Sequence, residues 1–402
     1  MVIQRFRPYF SGQGVQVEEL CRAFARRGRT SSIVTAVRGR PSEVEQCDGY
    51  DVRRLRVDLI PGSATRTSLW APTFGARVFQ ELMQMKRPDA VHVHGVHDGL
   101  YGAAAFCRLR GVPLVFEMTL MGVDDPHTAL DTRHRLAALR RRAYLGADAY
   151  VAMSRAFLPS YAEAGMDRNL LTVVPQGVDT ARFTPLPAAV RAEVRTELGC
   201  AHDAPVVAFL GSLIERKGLD LLLGAWETVH AVLPRARLLL IGHASFDDGS
   251  LEREFLDRCV ADLSVDAAAT VLPIGLRDNP ERYLGAADIF ALPSRREGFG
   301  TAIIEAMACG LAPIVARLDG ITDYIFGAPV RPQTPAAGDG IVVPQEDPQA
   351  LAAAVIALLS DRARAVEIGR IARERVLEQF DLHRVVAPAY DAVYAAALEH
   401  RR

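Results

Sequence analysis

The sequence predicts an α/β protein made of two doubly wound parallel-sheet domains. Its length of 402 residues is about twice that of a common domain. Short apolar segments alternate with helical segments at intervals of roughly 25 residues, as in proteins that bind ligands at the carboxyl ends of parallel strands. Two such series follow one another and share a layout, although no internal sequence repeat is visible.

The first series, residues 1–185, starts with an apolar segment, a loop that contains Gly12 and Gly14, and an amphipathic helix. This order can create a phosphate site at the helix N-terminus, although glycines before helices are mostly turns. The predicted strands are 1–6, 31–37, 52–57, 88–95, 113–116, 147–153 and 171–174, with helices at 17–24 and 76–85.

A charged, proline-containing segment at 186–203 is predicted to be a linker, and the second series occupies 204–380. Its predicted strands are 206–211, 236–242, 269–274, 289–293 and 312–316, its helices are 219–232, 301–309, 348–360 and 362–379, and 327–340 is predicted to be an irregular loop. The remaining segment, 381–402, is predicted to be a helix.

The composition is that of a soluble globular protein, with 50% hydrophobic and 24% charged residues. The sequence has no run of about 18 apolar residues and no signal peptide, so we expect a cytoplasmic protein. The six cysteines are scattered without a C-x-x-C spacing, and we expect reduced core residues rather than a zinc site or disulfides.

The net charge of −1 conceals an asymmetry between the two halves. Residues 1–183 contain 25 Lys and Arg against 18 Asp and Glu, an excess of seven positive charges. The excess favours an anionic partner or a membrane surface, and a solvated arginine-rich face explains it equally well. Of the 47 basic residues only Lys86 and Lys217 are lysines.

The stretch 297–310, EGFGTAIIEAMACG, has the pattern of a nucleotide site. Gly298 and Gly300 allow a sharp turn or a close approach to a ligand, and the apolar helix that follows directs N–H groups toward a phosphate. Glu305 is the one charged residue in that helix, so we expect it to be buried with a partner. That partner is a ribose diol or an arginine, and Glu305 alone favours the arginine.

The wider segment ALPSRREGFGTAIIEAMACGLAPIVA resembles the signature of retaining glycosyltransferases of family 4. The family pattern of two glutamates separated by seven residues falls on Glu297 and Glu305. The resemblance implies the GT-B architecture, in which two Rossmann-like domains face each other across a cleft and the last helix crosses back to the first domain. It also implies transfer of a hexose from a nucleotide-diphosphate sugar with retention of configuration, without a cofactor or a metal.

The resemblance assigns the donor ribose to Glu305 and the donor sugar to Glu297 with the backbone of Phe299 and Gly300. It assigns the diphosphate to Arg216, to Lys217 and to the N–H groups from Gly298 to Thr301. Without it, two adjacent cations before a helix would most simply be an exposed turn. The glycine loop of Gly12 and Gly14 would face the same diphosphate.

The sequence departs from the family pattern at three points. Gln13 splits the usual glycine pair, and Ser212 stands where the family often has an arginine. The stretch 117–122 lacks the histidine found near the donor sugar in many members. His94 or His97 could supply an imidazole to the sugar or acceptor, although a solvent-facing or capping histidine is at least as good an interpretation.

Two polar clusters admit simpler explanations. The adjacent Asp124 and Asp125 do not form a metal-binding Asp-x-Asp and are interpreted as a turn or helix start. Arg140–Arg142, with Arg133 and Arg135, would lie near an anionic acceptor or, more simply, on a solvated helix face.

The acceptor is not identified by the sequence. Loops at 60–75 and 118–135 are expected to bind it, and an anionic or lipid-linked acceptor, or peripheral contact with the inner membrane face, agrees with the basic first half. No nucleic acid partner is expected. Two other functions remain open: a nucleotide-sugar 2-epimerase of the same fold, and a non-catalytic sugar-nucleotide-binding partner of another transferase.

Overall fold

The computed structural model describes residues 1–9, 11–38, 40–57, 71–133, 136–242, 250–327 and 338–401. The chain forms two compact units, Met1–Gly177 with Leu382–Arg402, and Val178–Asp381. Most of the predicted acceptor loop at 60–75, most of the predicted irregular loop at 327–340, and Arg135 lie outside the described residues. No helix among the described residues has the length and apolar character needed to cross a bilayer.

The first unit combines parallel strands with helices. Its strands are β1 (Ser31–Val37), β2 (Glu43–Cys47), β3 (Tyr50–Arg56), β4 (Val91–His94), β5 (Leu114–Met118), β6 (Ala149–Ala152) and β7 (Leu171–Val173). Its helices before the second unit are α1 (Gly12–Arg26), α2 (Ala71–Gln84), α3 (Gly99–Arg110), α4 (Pro126–Ala129), α5 (Ala137–Tyr144) and α6 (Leu158–Glu163).

The strands of this unit pair in the orders β1-β3-β2 and β4-β5-β6-β7. All pairs are parallel except β2 with β3. Val2 forms parallel bridges to Val34 of β1 and to Val93 of β4. The predicted strand at 1–6 is therefore reduced to a bridge between the two groups. Strand β2 was not predicted from the sequence, because its residues are largely exposed and carry no apolar face.

The second unit is built around one fully parallel sheet. Its strands are β8 (Val206–Leu210), β9 (Arg237–Ile241), β10 (Val271–Gly275), β11 (Ile289–Leu292), β12 (Ala312–Ala316) and β13 (Ile341–Val343). Its helices are α7 (Ala188–Glu197), α8 (Leu219–Val232), α9 (Ser250–Ala261), α10 (Val265–Ala268), α11 (Pro280–Leu284), α12 (Thr301–Ala308), α13 (Thr322–Phe326), α14 (Pro348–Ser360) and α15 (Arg362–Gln379).

The segment predicted to be a linker, 186–203, contains α7 and belongs to the second unit. The buried guanidinium of Arg195 donates to the Asp288 carboxylate at 2.8 Å and to the carbonyl oxygens of Ala286 and Ala204 at 2.9 Å. These bonds satisfy a buried charge, which would otherwise be costly. They attach α7 to the residues just before β11.

The C-terminal segment completes the first unit. A π-helical turn at Leu382–Val386 leads into α16 (Ala387–His400), so the predicted helix at 381–402 begins later than expected. The apolar face of α16 packs with α1 and with one face of the sheet, in a core cluster that includes Ala387, Tyr390, Val393, Ala397, Leu20, Phe24, Val115 and Val151. Burial of this face is the main force that holds the helix in place.

Candidate active site

The strand order of the second unit marks the place where a ligand is expected. The order β10-β9-β8-β11-β12-β13 follows the 3-2-1-4-5-6 pattern of dinucleotide-binding folds, which reverses direction between its first and fourth strands. Here that reversal lies between β8 and β11. The segments that leave the carboxyl ends of these strands are 211–218 and 293–300, and both were singled out from the sequence.

A close backbone contact at Gly218 joins the two segments. Gly218 has φ of 71°, and a Cβ atom at this position would lie 2.0 Å from the carbonyl oxygen of Pro293. Only glycine fits such a position without strain. The N–H of Arg295 also donates to the carbonyl oxygen of Arg216 at 2.9 Å. The two segments are thus fixed relative to each other through their backbones.

Arg295 reinforces this arrangement and was not recognised from the sequence. Its guanidinium makes two bonds to the Asp220 carboxylate, at 2.8 and 2.7 Å, and two to Glu346, at 2.6 and 2.9 Å. Paired N–H groups of this kind hold carboxylates in a defined orientation. The pattern Arg295-Arg296 gave no sign of which arginine would point into the structure, because their partners are distant in sequence.

The structure brings Arg216, Lys217 and Glu297 together. The Lys217 ammonium donates to Glu297 Oε1 at 2.5 Å, and Arg216 donates to Glu297 Oε2 at 3.4 Å and to the Arg296 carbonyl oxygen at 2.6 Å. Ser294 Oγ donates to Glu297 Oε1 at 2.7 Å. The sequence predicted that these residues share a site but did not predict this ion pair.

The cluster is electrostatically asymmetric. Burial alone would raise the pKa of Glu297, but the charges of Lys217 and Arg216 and the hydrogen bonds from Lys217 and Ser294 hold it below its ordinary value. Glu297 is therefore an ionised carboxylate at neutral pH. Two cations face one anion, which leaves one excess positive charge for a ligand.

The glycine turn and helix α12 extend the site. Gly300 has φ of 94° and precedes the first residue of α12. Ile303, Ile304, Ala306, Met307 and Ala308 are buried, whereas Thr301, Ala302 and Glu305 are half-buried and share one face of the helix. The prediction that Glu305 is buried is therefore wrong, because this face of α12 is only partly covered.

The side chain of Phe299 has a packing role. It is 2% exposed and contacts the rings of Tyr324 and Phe380, with centroid distances of 6.2 and 5.6 Å. This packing anchors the turn between Gly298 and Gly300. The buried side chain leaves only the backbone of Phe299 for contact with a ligand, so the predicted backbone role stays a prediction.

In the first unit, Gly12 and Gly14 lie within the first turn of α1 rather than in a loop before it. Ser11 caps this helix by accepting a hydrogen bond from the Gly14 N–H at 3.2 Å. A Cβ atom on Gly14 would lie 3.2 Å from the Arg5 carbonyl oxygen. The predicted start of the helix was too late because Ser11 was not recognised as its cap.

The structure buries both candidate histidines. His97 Nδ1 accepts from the N–H of Gly99 at 3.1 Å at the start of α3, and burial lowers the pKa of His97 to about 4. His94 bonds to the Glu117 carboxylate. Neither side chain faces solvent, and His97 has the capping role that the sequence left open.

The remaining polar clusters follow the simpler interpretation in part. Asp125 caps α4, accepting from Thr128 N–H at 3.2 Å, and Asp124 accepts from Val96 N–H at 2.7 Å. The prediction of a helix start is confirmed. On α5, Arg141 and Arg142 are exposed, whereas Arg140 is buried and donates to a backbone carbonyl oxygen.

Comparison with known proteins extends over nearly the whole chain. The family model described as Glycosyltransferase Family 4 matches residues 10–182, and the one described as Glycosyl transferases group 1 matches residues 190–375. Each unit therefore carries the pattern of one half of a glycosyltransferase.

Similar proteins support the same assignment. A D-inositol 3-phosphate glycosyltransferase of Kineococcus radiotolerans is 30% identical over 384 residues, which cover 90% of this chain and 86% of that protein. A GDP-mannose-dependent monoacylated alpha-(1-6)-phosphatidylinositol monomannoside mannosyltransferase of Corynebacterium glutamicum is 34% identical over 212 residues, 50% of each chain. The crystal structure of HepE from Anabaena with UDP and glucose has a TM-score of 0.72 at 20% identity and covers 98% of both chains. The chain belongs to glycosyltransferase family 4 and is a glycosyltransferase of the GT-B fold.

Proposed function

We propose that this enzyme transfers a hexosyl group from a nucleoside-diphosphate sugar to an acceptor hydroxyl with retention of configuration and without a metal ion. The observation that carries the proposal is the cluster of Arg216, Lys217 and Glu297 at the point where the strand order reverses. Two cations on short loops supply the positive charge that a departing diphosphate needs.

The rate enhancement would come mainly from charge stabilisation. As the bond between the sugar and the diphosphate breaks, negative charge grows on the leaving oxygen, and cations fixed in advance stabilise it without reorganisation. Lys217 is 14% exposed and Arg216 is 27% exposed in their side chains, so a ligand can reach both. The N–H groups at the start of α12 would add to this charge.

Retention would not require a protein nucleophile. The Glu297 carboxylate is engaged by two cations and a hydroxyl group, which makes it a weak nucleophile and a good positioning group. The acceptor hydroxyl would instead attack from the face that the diphosphate leaves. Because Arg216 and Lys217 already supply the positive charge, adding Mg²⁺ or Mn²⁺ should not raise the rate.

The donor ribose would be held by Glu305. Its half-buried position at the first turns of α12, close after the glycine turn, suits a carboxylate that accepts hydrogen bonds from two hydroxyl groups. Gly12 and Gly14 would allow the first turn of α1 to approach the donor diphosphate. His94 and His97, being buried and engaged, are poorer candidates for contact with the sugar or the acceptor than the sequence suggested.

An anionic acceptor agrees with the positive charge of the first half of the chain and with the names of the relatives. Residues 1–183 carry an excess of seven positive charges, and the relatives include enzymes named for inositol 3-phosphate and for a phosphatidylinositol mannoside. Inositol phosphates and phosphoinositide glycosides are therefore the acceptors to test first. A neutral inositol is the matched control.

The purified chain should be incubated with UDP-, GDP-, dTDP- and ADP-hexoses and each acceptor, and the product analysed by mass spectrometry and NMR. Transfer from an α-linked donor should give an α-linked product. A β-linked product would contradict retention. Conversion of the donor to its 2-epimer without transfer would identify the chain as an epimerase. If the donor bound but was not turned over with any acceptor, the chain would be better described as a non-catalytic sugar-nucleotide-binding partner of another transferase.

The ribose assignment has its own test. Glu305→Gln should weaken donor binding more than tenfold, equivalent to about 1.4 kcal/mol, because charge-assisted bonds to the ribose are lost. Isothermal titration with the nucleoside diphosphate measures the effect, and Glu378→Gln, at an exposed position of the same unit, is the control. Unchanged affinity in a folded Glu305 variant would exclude the role.

A further inference from the structure

A cluster of ionisable side chains lies inside the first unit, apart from the donor residues of the second. His92 and His94 are on β4, and Glu117 is on β5 directly beside His94 in the strand register. Their exposed fractions are 2%, 3% and 1%. Buried parallel strands are ordinarily apolar on both faces, so three such residues on one face require an explanation beyond packing.

The outer polar atoms of the cluster are held by neighbouring groups. His92 Nδ1 is 2.8 Å from the Tyr394 hydroxyl, and the Tyr390 hydroxyl donates to Glu117 Oε1 at 2.7 Å. His94 Nε2 lies 3.3 Å from the sulfur of Met1. Both tyrosines belong to α16, so the C-terminal helix supplies two of the three outer partners.

The inner polar atoms converge on one point and are not fully satisfied. His94 Nδ1 contacts Glu117 Oε2, whereas His92 Nε2 is 3.6 Å from the same oxygen, too far for a hydrogen bond. His92 Nε2 has no hydrogen-bond partner among the described residues, although it is buried. A buried nitrogen directed at a carboxylate and an imidazole, and left without a proton donor or acceptor, is suited to a metal ion.

We propose that His92, His94 and Glu117 form a binding site for a divalent transition metal ion, with Zn²⁺ as the reference ion. Their donor atoms all lie within 4.8 Å of one another. Zinc bonds of about 2.0–2.2 Å place ligand atoms about 3.3 Å apart, so modest rotations of the three side chains are sufficient. Two imidazoles and one carboxylate are a donor set that Zn²⁺ commonly uses.

The surroundings match those of known metal centres. A histidine that binds a metal through one nitrogen directs its other N–H to an outer partner, and Tyr394 stands in that position for His92. A cavity of about 20 Å³ borders His94 and Glu117 and is also lined by Gln13, Gln16 and Gln176. This is room for one water molecule, which could complete a four-coordinate ion.

The metal would fasten α16 to the sheet rather than take part in the transfer. Its outer partners Tyr390 and Tyr394 lie on α16, while β4 and β5 carry the three ligands. Arg216, Lys217 and Glu305, which carry the proposed donor chemistry, are all in the other unit. Loss of the metal should therefore lower the thermal stability of the first unit and change nucleotide affinity much less, because the charged donor residues lie in the second unit.

The first experiment is metal analysis of the untagged, full-length chain. After treatment with a chelator, the protein should be dialysed against Zn²⁺ and, separately, Co²⁺, and the bound metal measured by mass spectrometry. We expect one ion per chain, an absorption spectrum of Co²⁺ with nitrogen and oxygen ligands, and a higher unfolding temperature. The proposal would be overturned if neither ion bound at one per chain, or if the bound ion did not raise the unfolding temperature. Neither result requires a variant.

Substitutions then locate the ion. Glu117→Gln and His92→Gln should each lower Zn²⁺ affinity more than about 100-fold, since changing an outer partner alone costs 10–100-fold. Tyr394→Phe should lower it about tenfold and keep the stoichiometry. His97→Asn, at another buried histidine, is the matched control and should bind normally. Normal Zn²⁺ binding by folded Glu117→Gln and Tyr394→Phe variants would place the ion elsewhere.

Discussion

At the scale of single residues, two side chains that are expected to contact the donor, Lys217 and Glu297, bind each other in its absence. Lys217 is one of only two lysines in the chain, and its ammonium is bound to Glu297 at 2.5 Å. An ammonium group has three donors, so this pairing leaves others for a diphosphate. In the proposed mechanism, Glu297 would set the position of the cation before the donor arrives and so limit reorganisation during the reaction.

Lys217→Ala should lower kcat by about 100- to 1,000-fold, the usual effect of removing one preorganised donor to a developing charge. The loss should appear at saturating donor, because the diphosphate charge rises toward the transition state. Steady-state kinetics measure it, and Lys86→Ala, at the other lysine, which is exposed, is the control. A rise in KM with kcat unchanged would make Lys217 a ground-state binder.

Glu297→Gln should destabilise the second unit in a pH-dependent way. The pKa of Glu297 is lowered from the ordinary value of 4.5, so its ionised form stabilises the folded state above that value. This contribution is lost as the pH falls from 4.5 through the folded-state pKa, because the carboxylate is then protonated in both states. Thermal unfolding of wild type and variant from pH 7 to pH 3 should show a difference that narrows with acid.

Glu378→Gln, an exposed substitution in the same unit, should show no comparable difference at any of these pH values. A difference for Glu297→Gln that stays constant down to pH 3 would mean that lost packing, rather than the lost charge, causes the destabilisation.

At the scale of elements, the sequence predicted the second unit better than the first. The bounds of α8, β12, α14 and α15 agree with the predicted segments 219–232, 312–316, 348–360 and 362–379. These elements are marked by strong caps, glycines and apolar periodicity. In the first unit the predicted strand at 1–6 is only a bridge at Val2. Whether an apolar segment forms a strand depends on its partners in the sheet, and the periodicity of its own residues does not reveal them.

The candidate site was predicted as a set of residues but not as a network. Loops after β8 and β11 were identified by glycine and charge, and the strand order that brings them together was implied by the fold. The bond between Lys217 and Glu297 spans 80 positions, and the bonds from Arg295 to Asp220 and to Glu346 span 75 and 51 positions. Such pairings depend on tertiary distances, which residue spacing does not contain.

The junction of the two site loops makes a prediction about glycines. Gly218→Ala should destabilise the second unit by about 2 kcal/mol or more, because φ of 71° is strained for alanine and its Cβ would lie 2.0 Å from the Pro293 carbonyl oxygen. Gly224→Ala, in the exposed face of α8 with no atom within 4 Å of the new Cβ, should stabilise by roughly 0.5–1 kcal/mol.

Thermal unfolding of both variants measures these effects, and donor affinity should fall only for Gly218→Ala. The two substitutions should change the free energy of unfolding in opposite directions, although both replace a glycine by an alanine in neighbouring parts of the sequence. Equal effects would contradict the assigned role of Gly218 as a contact between loops.

At the scale of the whole molecule, the charged residues proposed for the donor and the proposed metal ligands lie in different units, although Gly12 and Gly14, proposed to approach the donor diphosphate, lie in the first. The nucleoside-diphosphate residues Arg216, Lys217 and Glu305 belong to Val178–Asp381, and the proposed metal ligands belong to the unit formed by Met1–Gly177 and Leu382–Arg402. A ligand stabilises the structure that it binds. Each ligand should therefore slow the local opening of its own unit first.

Hydrogen exchange with and without ligands tests this division. A nucleoside diphosphate at 100 times its Kd should add about 2.7 kcal/mol of stability and slow exchange in 211–218 and 297–308. Zn²⁺ should slow exchange in β4, β5 and α16 instead. UDP, GDP, dTDP and ADP are tested separately, and the one that protects names the donor nucleotide. If a nucleotide slowed exchange elsewhere but not in 211–218, the assignment of Arg216 and Lys217 would be contradicted, because those cations are expected to bind its diphosphate directly.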